Sequence, residues 1–387
     1  SKTTNEPNIL ISPFSIASAL ALVLAGATSD STCQNEIQSA LSVNSHSQIP
    51  MLSRQILQSS SDTNPDGGEG DEGDDIQLTS ANGLWMAKSI MKSYTTIAQD
   101  VHDAKVSPLP DTFAPIDAFV TAKTNGMIKN MLEGPINPLT EAVLINAVYF
   151  KGAWKTKFDL NNSQKGTFKS NSGGESRTAV FMEATRSMKV ATSVKELGYA
   201  SIVSLEYGKS INEDESIGGK KVDSDFCALF ILPEKNTSKS LSNVFSSLTA
   251  LGKGRDGVSL RDVFEKKMDY NRVQLLLPRF RISYGTTSLK PQLKSMGIQS
   301  AFGGKDQFLQ MSEDPAVYLD DVLHKAVMEV TEEGTVAAAA TAGMMMSRST
   351  PIPPIDMIFD RPFGMVVLHT PSMTPLFVAR VNDPDFI

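Results

Sequence analysis

Five short runs rich in β-branched and aromatic residues lie along the 387-residue chain, mostly in its last two thirds. Their spacing lacks the regular alternation of strand and helix that a doubly wound parallel sheet requires. The runs cover residues 143–150, 226–232, 273–277, 365–369 and 376–381. The pattern therefore predicts a mixed α+β fold with mainly antiparallel sheets.

The longest apolar run, IASALALVLAGA at residues 16–27, follows Ser12 and Pro13. A small polar residue and a proline are typical of a helix start, and the apolar residues then recur with helical spacing. The run is shorter than the ~20 residues that cross a bilayer. We therefore predict a buried core helix and no membrane span. Similar spacing predicts helices over residues 116–132 and 289–296.

The chain carries a formal net charge of −7 and 41% hydrophobic residues. Nucleic acid and anionic membrane surfaces both select for clustered Lys and Arg, so neither partner is predicted. The apolar fraction is high enough to exclude disorder over most of the chain. Cys33 and Cys227 lie far apart and match no metal spacing, which predicts two buried thiols rather than a disulfide framework or a zinc site.

Residues 59–75 read SSSDTNPDGGEGDEGDD and contain no apolar residue. This composition is typical of a solvated flexible insertion. Residues 68–73 formally match the GxGxxG dinucleotide fingerprint, which needs a strand before it and a helix after it. Neither flank is present, and the surrounding carboxylates would repel phosphate. No nucleotide or other cofactor is predicted.

The positions of the histidines do not indicate a catalytic or metal centre. His46, His102, His324 and His369 form no HExxH motif or paired-ligand spacing, and no GxSxG nucleophile motif occurs. His324 lies in an apolar run, where a buried, hydrogen-bonded histidine is the simpler interpretation. We therefore predict that the protein is not an enzyme and holds no metal.

Residues 331–350 read TEEGTVAAAATAGMMMSRST, a composition that does not fit a surface helix. The alanines at 337–340 favour helix, yet the segment has no polar face and follows the flexible Gly334. Small side chains could instead enter an existing sheet as a strand. The segment ends at an Arg348–Ser349 bond, which suits proteases whose specificity pocket pairs a carboxylate with Arg. A flexible linker that happens to contain Arg is the alternative.

Several motifs in fixed order resemble those of the serpins, a family of serine protease inhibitors. They cover nearly the whole chain: NILISPFSI at 8–16, TNGMIKNML at 124–132, LINAVYFKGAWKTKF at 144–158, LPRFRISY at 277–284, HKAVMEVTEEGT at 324–335, FDRPF at 359–363 and PLFVARVNDP at 375–384. The resemblance implies a single domain over residues 1–387. It implies three mainly antiparallel β-sheets, eight or nine helices and an exposed reactive-centre loop, with hinge and loop at 332–358.

By the same resemblance, the protein is an inhibitor of trypsin-like serine proteases. It would trap the acyl-enzyme by inserting its cleaved loop into the main sheet, with Arg348–Ser349 as the reactive bond. Met344, Met345 and Met346 are fallback sites that would suit a chymotrypsin-like protease. The implied hinge comprises Glu332, Glu333, Gly334, Thr335, Val336, Ala337, Ala338, Ala339, Ala340 and Thr341.

The small, uncharged Thr335 favours an inhibitor, because non-inhibitory members often carry a bulky or charged residue there. The alternative is a non-inhibitory serpin acting as a carrier, storage or interaction protein. The resemblance further implies a shutter beneath the sheet that controls its opening, formed by Ser12, Ser15, Asn146 and His324.

The remaining expectations concern partners and location. We expect a monomer, and no heparin activation, because the acidic insertion falls near the helix that carries the basic heparin site in some serpins. Asn161 and Asn236 begin possible glycosylation motifs. We predict an extracellular or cell-surface protein, with the cytoplasm as the alternative.

Overall fold

The computed structural model of the protein describes residues 8–61, 76–132, 134–170, 176–208, 224–234, 241–252, 259–333 and 353–387. Within these residues the α-helices are α1 (Pro13–Gly26), α2 (Thr32–Leu41), α3 (Gln48–Ser61), α4 (Lys92–Asp100), α5 (Ala114–Lys123), α6 (Leu241–Gly252), α7 (Leu260–Lys266) and α8 (Lys290–Ser295). None of the described helices is long and apolar enough to cross a membrane.

Fifteen β-strands accompany the helices in the described part of the chain. They are β1 (Ile9–Ile11), β2 (Gln77–Met86), β3 (Lys105–Pro108), β4 (Ala142–Lys151), β5 (Gln164–Lys169), β6 (Ser176–Val194), β7 (Ala200–Glu206), β8 (Phe226–Leu232), β9 (Asp269–Pro278), β10 (Phe280–Ser288), β11 (Asp321–Val330), β12 (Ile355–Ile358), β13 (Phe363–His369), β14 (Thr374–Val381) and β15 (Asp385–Phe386). All five predicted strand runs are confirmed, and each lies within one of these strands.

The strands form a six-stranded sheet and a larger nine-stranded assembly. The six-stranded sheet has the order β15-β10-β11-β4-β2-β3. In the larger assembly the 19-residue β6 pairs with β5 along its first part, with β9 along its middle from Phe181 to Val190, and with β7 near its end. Two sheets therefore meet at β6, which makes three sheets in all. Most pairings are antiparallel, as predicted, and the parallel ones are β11 with β4, β12 with β9 and β2 with β3.

Alternate residues of β4 face two different cores, because side chains along a strand point to opposite faces. Val148 and Phe150 join the core between the six-stranded sheet and the nine-stranded assembly. Ile145 and Tyr149 join the core under α5. The even-numbered face of β4 near its start also packs with α1, where Leu144 contributes to the same core as α1 residues. The six-stranded sheet is therefore covered on both faces.

The predicted buried helix after Ser12 is confirmed as α1, in which every residue from Ala19 to Leu24 is buried. The Ser12 side chain caps it by accepting a hydrogen bond from the Ser15 amide at 3.1 Å, and Pro13 occupies the first turn, where it needs no amide partner. The cap places Ser12 and Ser15 at the end of α1 that meets the six-stranded sheet.

Two predicted boundaries were wrong. The helix predicted over 116–132 is α5, which ends at Lys123. Asn125 and Gly126 follow with φ of 51° and 76°, left-handed values that terminate a helix. Residues 59–61 of the predicted insertion belong instead to α3, which continues to Ser61. Residues 62–75 lie outside the described residues.

Candidate functional site

The predicted loop falls largely outside the described residues, which end at Glu333 and resume at Pro353. The reactive bond Arg348–Ser349, the fallback methionines 344–346 and hinge residues 334–341 all lie in that interval. The loop predicted to run to residue 358 ends earlier, because residues 355–358 form β12. This strand pairs in parallel with β9, from Ile355 opposite Val273 to Ile358 opposite Leu276.

The chain leaving β11 is held by backbone hydrogen bonds to the segment that follows β4. The Phe158 amide donates to the Glu332 carbonyl at 2.8 Å, and the Trp154 amide donates to the Glu333 carbonyl at 2.9 Å. The Trp154 indole Nε1–H also donates to the Thr331 carbonyl at 2.9 Å. The first predicted hinge residues are therefore fixed beside the end of β4.

The Glu332 side chain is buried, with 2% of the residue exposed. The Ser163 hydroxyl donates to its Oε1 at 2.7 Å, and the Arg279 guanidinium lies 3.6 Å from the same oxygen. A buried carboxylate is costly unless it is paired and hydrogen-bonded. These two partners satisfy that requirement and connect Glu332 to the junction of β9 with β10 and to the turn before β5.

Trp154 is a functional candidate that the sequence motif contained but to which no role was assigned. Its ring stacks on Tyr207, with centroids 4.4 Å apart and an interplanar angle of 16°. Its indole also lies beside the Phe230 ring, with the two ring centroids 6.2 Å apart. Trp154 thus joins three parts of the molecule: the end of β4, the end of β11 and the core of the neighbouring sheets. It is one of two tryptophans in the chain, and that scarcity is the signal that could have singled it out.

The four predicted shutter residues meet in one buried cluster between α1, β4 and β11. The Asn146 amide donates to the Ser15 hydroxyl at 2.6 Å and to the Ser15 carbonyl at 3.1 Å. His324 Nδ1 lies 2.6 Å from Asn146 Oδ1, and the Ser12 amide donates to His324 Nε2 at 3.3 Å. Asn82 of β2, which sequence reasoning missed, completes the cluster by accepting from Asn146 at 2.6 Å.

The hydrogen bonds of this cluster define the state of His324. Because Nε2 accepts from the Ser12 amide, the ring proton must be on Nδ1, where it donates to Asn146 Oδ1. Burial lowers the pKa of His324 from 6.5 to about 4, so the ring is neutral at pH 7. This neutral imidazole links β11 to β4 directly.

Those two strands are parallel neighbours, paired from Asp321 opposite Val143 to Val327 opposite Tyr149. Both are flanked on their outer sides by antiparallel partners, β10 and β2. A strand running in the opposite direction could pair with both of them if they separated. The shutter cluster and the base of the loop lie along this same pair.

The described residues contain no group of three or more metal-ligating side chains. Cys33 and Cys227 are both buried thiols, as predicted. Burial, with a smaller effect of the Glu36 charge, raises the pKa of the Cys33 thiol to about 12. That thiol is therefore not an activated nucleophile.

Asn161 is exposed in a short 3-10 helix, Leu160–Asn162, while Asn236 lies outside the described residues. The Asn161 side chain donates to Asp159 at 2.9 Å. Its predicted glycosylation stays a prediction.

Known proteins match this arrangement along nearly the full chain. A family model described as Serpin (serine protease inhibitor) matches residues 1–384. Human Serpin B8 is 30% identical over 392 residues, covering 98% of this chain and 94% of its own. The Leukocyte elastase inhibitor of Bos taurus is 29% identical, covering 97% and 93%. The solved structure of Arabidopsis AtSerpin1 in its native stressed conformation is 26% identical, with a TM-score of 0.75, covering 98% and 93%.

These matches confirm both the predicted family and the predicted fold. The chain belongs to the serpins, a family described as serine protease inhibitors. The fold and the relatives support the inhibitor class.

Proposed function

We propose that this serpin inhibits trypsin-like serine proteases by inserting its cleaved loop into the six-stranded sheet. The observation that carries the proposal is the parallel pair β4 and β11, with the loop leaving from the end of β11. A segment that turns back from Glu333 would run antiparallel to both strands. One parallel pairing would then be replaced by two antiparallel pairings, which are slightly more stable per residue.

The length of the loop fits this movement. Residues 334–348 comprise fifteen residues, which span about 50 Å as a strand at ~3.3 Å each. The hinge residues in this segment are small, so they can enter between two existing strands without large side chains to accommodate. An acylated protease carried with residue 348 would move along the length of the sheet. Distortion of its oxyanion hole would slow deacylation, since losing one donor costs roughly 10²–10³ in rate.

Insertion requires β4 and β11 to separate, which breaks the hydrogen bond between His324 and Asn146. It also requires release of the backbone bonds that Trp154 and Phe158 make at the base of the loop. We propose that the shutter residues Ser12, Ser15, Asn146 and His324 set how readily the strands part. Opening before cleavage is opposed by these contacts, and insertion after cleavage replaces them with ladder hydrogen bonds.

The target class rests on Arg348, because a protease pocket that carries a carboxylate pairs with the guanidinium of its substrate. Incubation with trypsin should give a complex that survives a denaturing gel. Arg348→Ala should abolish this complex, whereas Arg348→Lys, the matched control, should retain it because Lys also carries the charge. Cleaved serpin with free, active trypsin as the only products would contradict the proposal.

The same bait segment contains the methionines 344–346, which would suit a chymotrypsin-like protease. If one of them can serve as a fallback site, Arg348→Ala should still form a denaturant-stable complex with chymotrypsin. Complex formation with trypsin by this variant would instead show that the reactive bond is not Arg348–Ser349. N-terminal sequencing of the released fragment identifies the bond directly.

The second candidate is a non-inhibitory serpin acting as a carrier, storage or interaction protein. Thermal melting separates the two, because a sheet that accepts the cleaved loop gains a central strand. For an inhibitor, cleavage of the loop should raise the melting temperature sharply. An unchanged melting temperature would favour the non-inhibitory function.

We propose that the protein acts as a monomer whose macromolecular partner is the protease, without nucleic acid or heparin. The support is a net charge of −7 and a helix α3 with one basic residue, Arg54. Heparin should therefore leave the rate of trypsin inhibition unchanged.

We propose an extracellular or cell-surface location, with the cytoplasm as the alternative. Glycosidase treatment of the native protein tests it, since a mass shift from Asn161 or Asn236 requires passage through the secretory pathway.

A further inference from the structure

Two histidines that are 56 residues apart in sequence meet at one surface of the fold. His46 lies in the connection between α2 and α3, and His102 follows the end of α4. His46 Nδ1 is 3.3 Å from His102 Nε2, and the two ring centroids are 5.5 Å apart. Their positions along the chain gave no metal-ligand spacing. Only folding brings the two ring nitrogens together.

The separation of the two nitrogens matches that of two ligands on one tetrahedral zinc ion. Zinc–nitrogen bonds of about 2.0–2.1 Å place adjacent tetrahedral ligands about 3.3–3.4 Å apart. In the metal-free pair, one ring donates a hydrogen bond to the other. For zinc to bind, the ring that donates this hydrogen bond would move its proton to its other ring nitrogen by exchange with water, so both rings stay neutral and both facing nitrogens offer lone pairs. The rings would turn toward the ion without having to separate.

The scaffold around the pair is held by its own hydrogen bonds. Arg54 of α3 donates to the Asp100 carbonyl at the end of α4, at 2.9 Å, which fixes the two helices relative to each other. In the His46 loop, the Gln48 side chain accepts from the amides of Asn44 at 2.6 Å and Ser45 at 3.2 Å. The backbone on both sides of the pair is therefore held before any ion arrives, which reduces the entropy cost of binding.

Both rings are suited to act as neutral ligands near pH 7. Burial lowers the pKa of His46 from its ordinary 6.5. Burial, then the charges of His46 and Arg54, lower the pKa of His102 to about 4. His102 also lines a cavity of about 450 Å³ between α1, α3 and β2, which leaves room for water to complete the coordination sphere.

We propose that His46 and His102 form a surface zinc site with two protein ligands, completed by water. The site is independent of the proposed protease inhibition. It would connect the start of α3 to the end of α4. Arg54 opposes the ion by its charge, so the site is a weak one that the protein could fill reversibly.

Isothermal titration calorimetry of the full, tag-free chain with Zn²⁺ at pH 7.5 tests the proposal. We expect one ion per wild-type chain and no such binding to His46→Gln or His102→Gln, with circular dichroism to verify that each variant is folded. Absence of zinc binding to the wild type, or binding that persists in both histidine variants, overturns the proposal.

A second measurement needs no variant. Histidine ring signals in the NMR spectrum of the wild-type chain should shift for His46 and His102 as zinc is added. His324 and His369 are 0% and 3% exposed, so their signals should not move. A titration that moves those two signals instead, and leaves His46 and His102 unchanged, overturns the proposal.

Discussion

At the scale of single residues, one buried side-chain contact between β4 and β11 depends on the protonation state of an imidazole. His324 accepts a hydrogen bond from the Ser12 amide through Nε2 and donates to Asn146 through Nδ1. A protonated ring would direct an N–H at the Ser12 amide, which is itself a donor. The cluster therefore requires neutral His324, and acid should weaken it.

The stability of the protein should fall as the pH falls from 6.5 towards 4. Because the pKa of His324 is about 4 in the folded state and 6.5 ordinarily, the unfolded chain binds more protons in this range. Above pH 6.5 the free energy of unfolding contains the full contribution of neutral His324. Up to about 3 kcal/mol of that free energy is lost as the pH falls through the folded-state pKa. Urea unfolding of the wild type and of His324→Gln at pH 7.5 and 5.0 measures this loss of the free energy of unfolding. The variant should lose less stability on acidification, and an equal loss would contradict the assignment.

Removal of the Ser163 hydroxyl should weaken the base of the loop. Ser163→Ala deletes a hydrogen bond to the buried Glu332 carboxylate, which should lower the free energy of unfolding by about 1–3 kcal/mol. Ser163→Thr retains a hydroxyl and is the matched control. Asn162→Ala, at an exposed neighbouring position, should have little effect. Chemical unfolding curves test all three, and equal stability of Ser163→Ala and wild type would contradict the expected role.

The sequence grouped the residues that belong to family motifs. It missed the residues that only folding brings together. Ser12, Asn146 and His324 were grouped by the resemblance, and the structure brings them together in one cluster. Asn82 was missed because a lone polar residue in a strand has no local signature. No periodicity joins His46 to His102, since their proximity depends on how three helices pack.

At the scale of elements, the end of β4 offers a reporter for movement of the sheet. Trp154 contacts both the end of β11 and Tyr207, so separation of β4 from β11 should change its surroundings. Trp85, the other tryptophan, lies in the core under α5.

A Trp85→Phe chain would therefore have Trp154 as its sole source of tryptophan emission. Cleavage of the loop by a protease should shift the emission of this chain if a strand inserts beside β4. Trp154→Phe, which lacks the indole N–H, is the complementary control and should lose the change seen in the wild type. Emission that stays constant through complete cleavage would count against insertion at this position.

Elements buried on both faces were the ones that the sequence predicted best. The run at 226–232 coincides with β8, all seven residues of which are buried, and such strands read as continuous apolar runs. The 19-residue β6 was missed because it changes partners along its length, and its exposed positions carry charged and polar residues. The predicted helix at 116–132 was too long, because helical spacing does not reveal the left-handed residues that end α5.

At the scale of the whole molecule, we propose that residues 1–387 form a single domain. One core contains buried residues from Leu10 near the start to Val381 near the end. Differential scanning calorimetry should therefore show one unfolding transition, with the calorimetric enthalpy equal to the van't Hoff enthalpy. Two separate transitions would contradict a single cooperative unit.

The pairing of the last four strands determines what a cut within the loop would leave behind. Cleavage at Arg348–Ser349 would divide the chain into residues 1–348 and 349–387. β12, β13, β14 and β15 belong to the shorter piece, and they pair with β9, β8, β1 and β10 of the longer one. The two fragments would thus remain a single particle, with the hydrodynamic size of the uncut protein. Only denaturation would separate them. The fraction of already cleaved protein in a native preparation would therefore be visible on a denaturing gel but not by gel filtration.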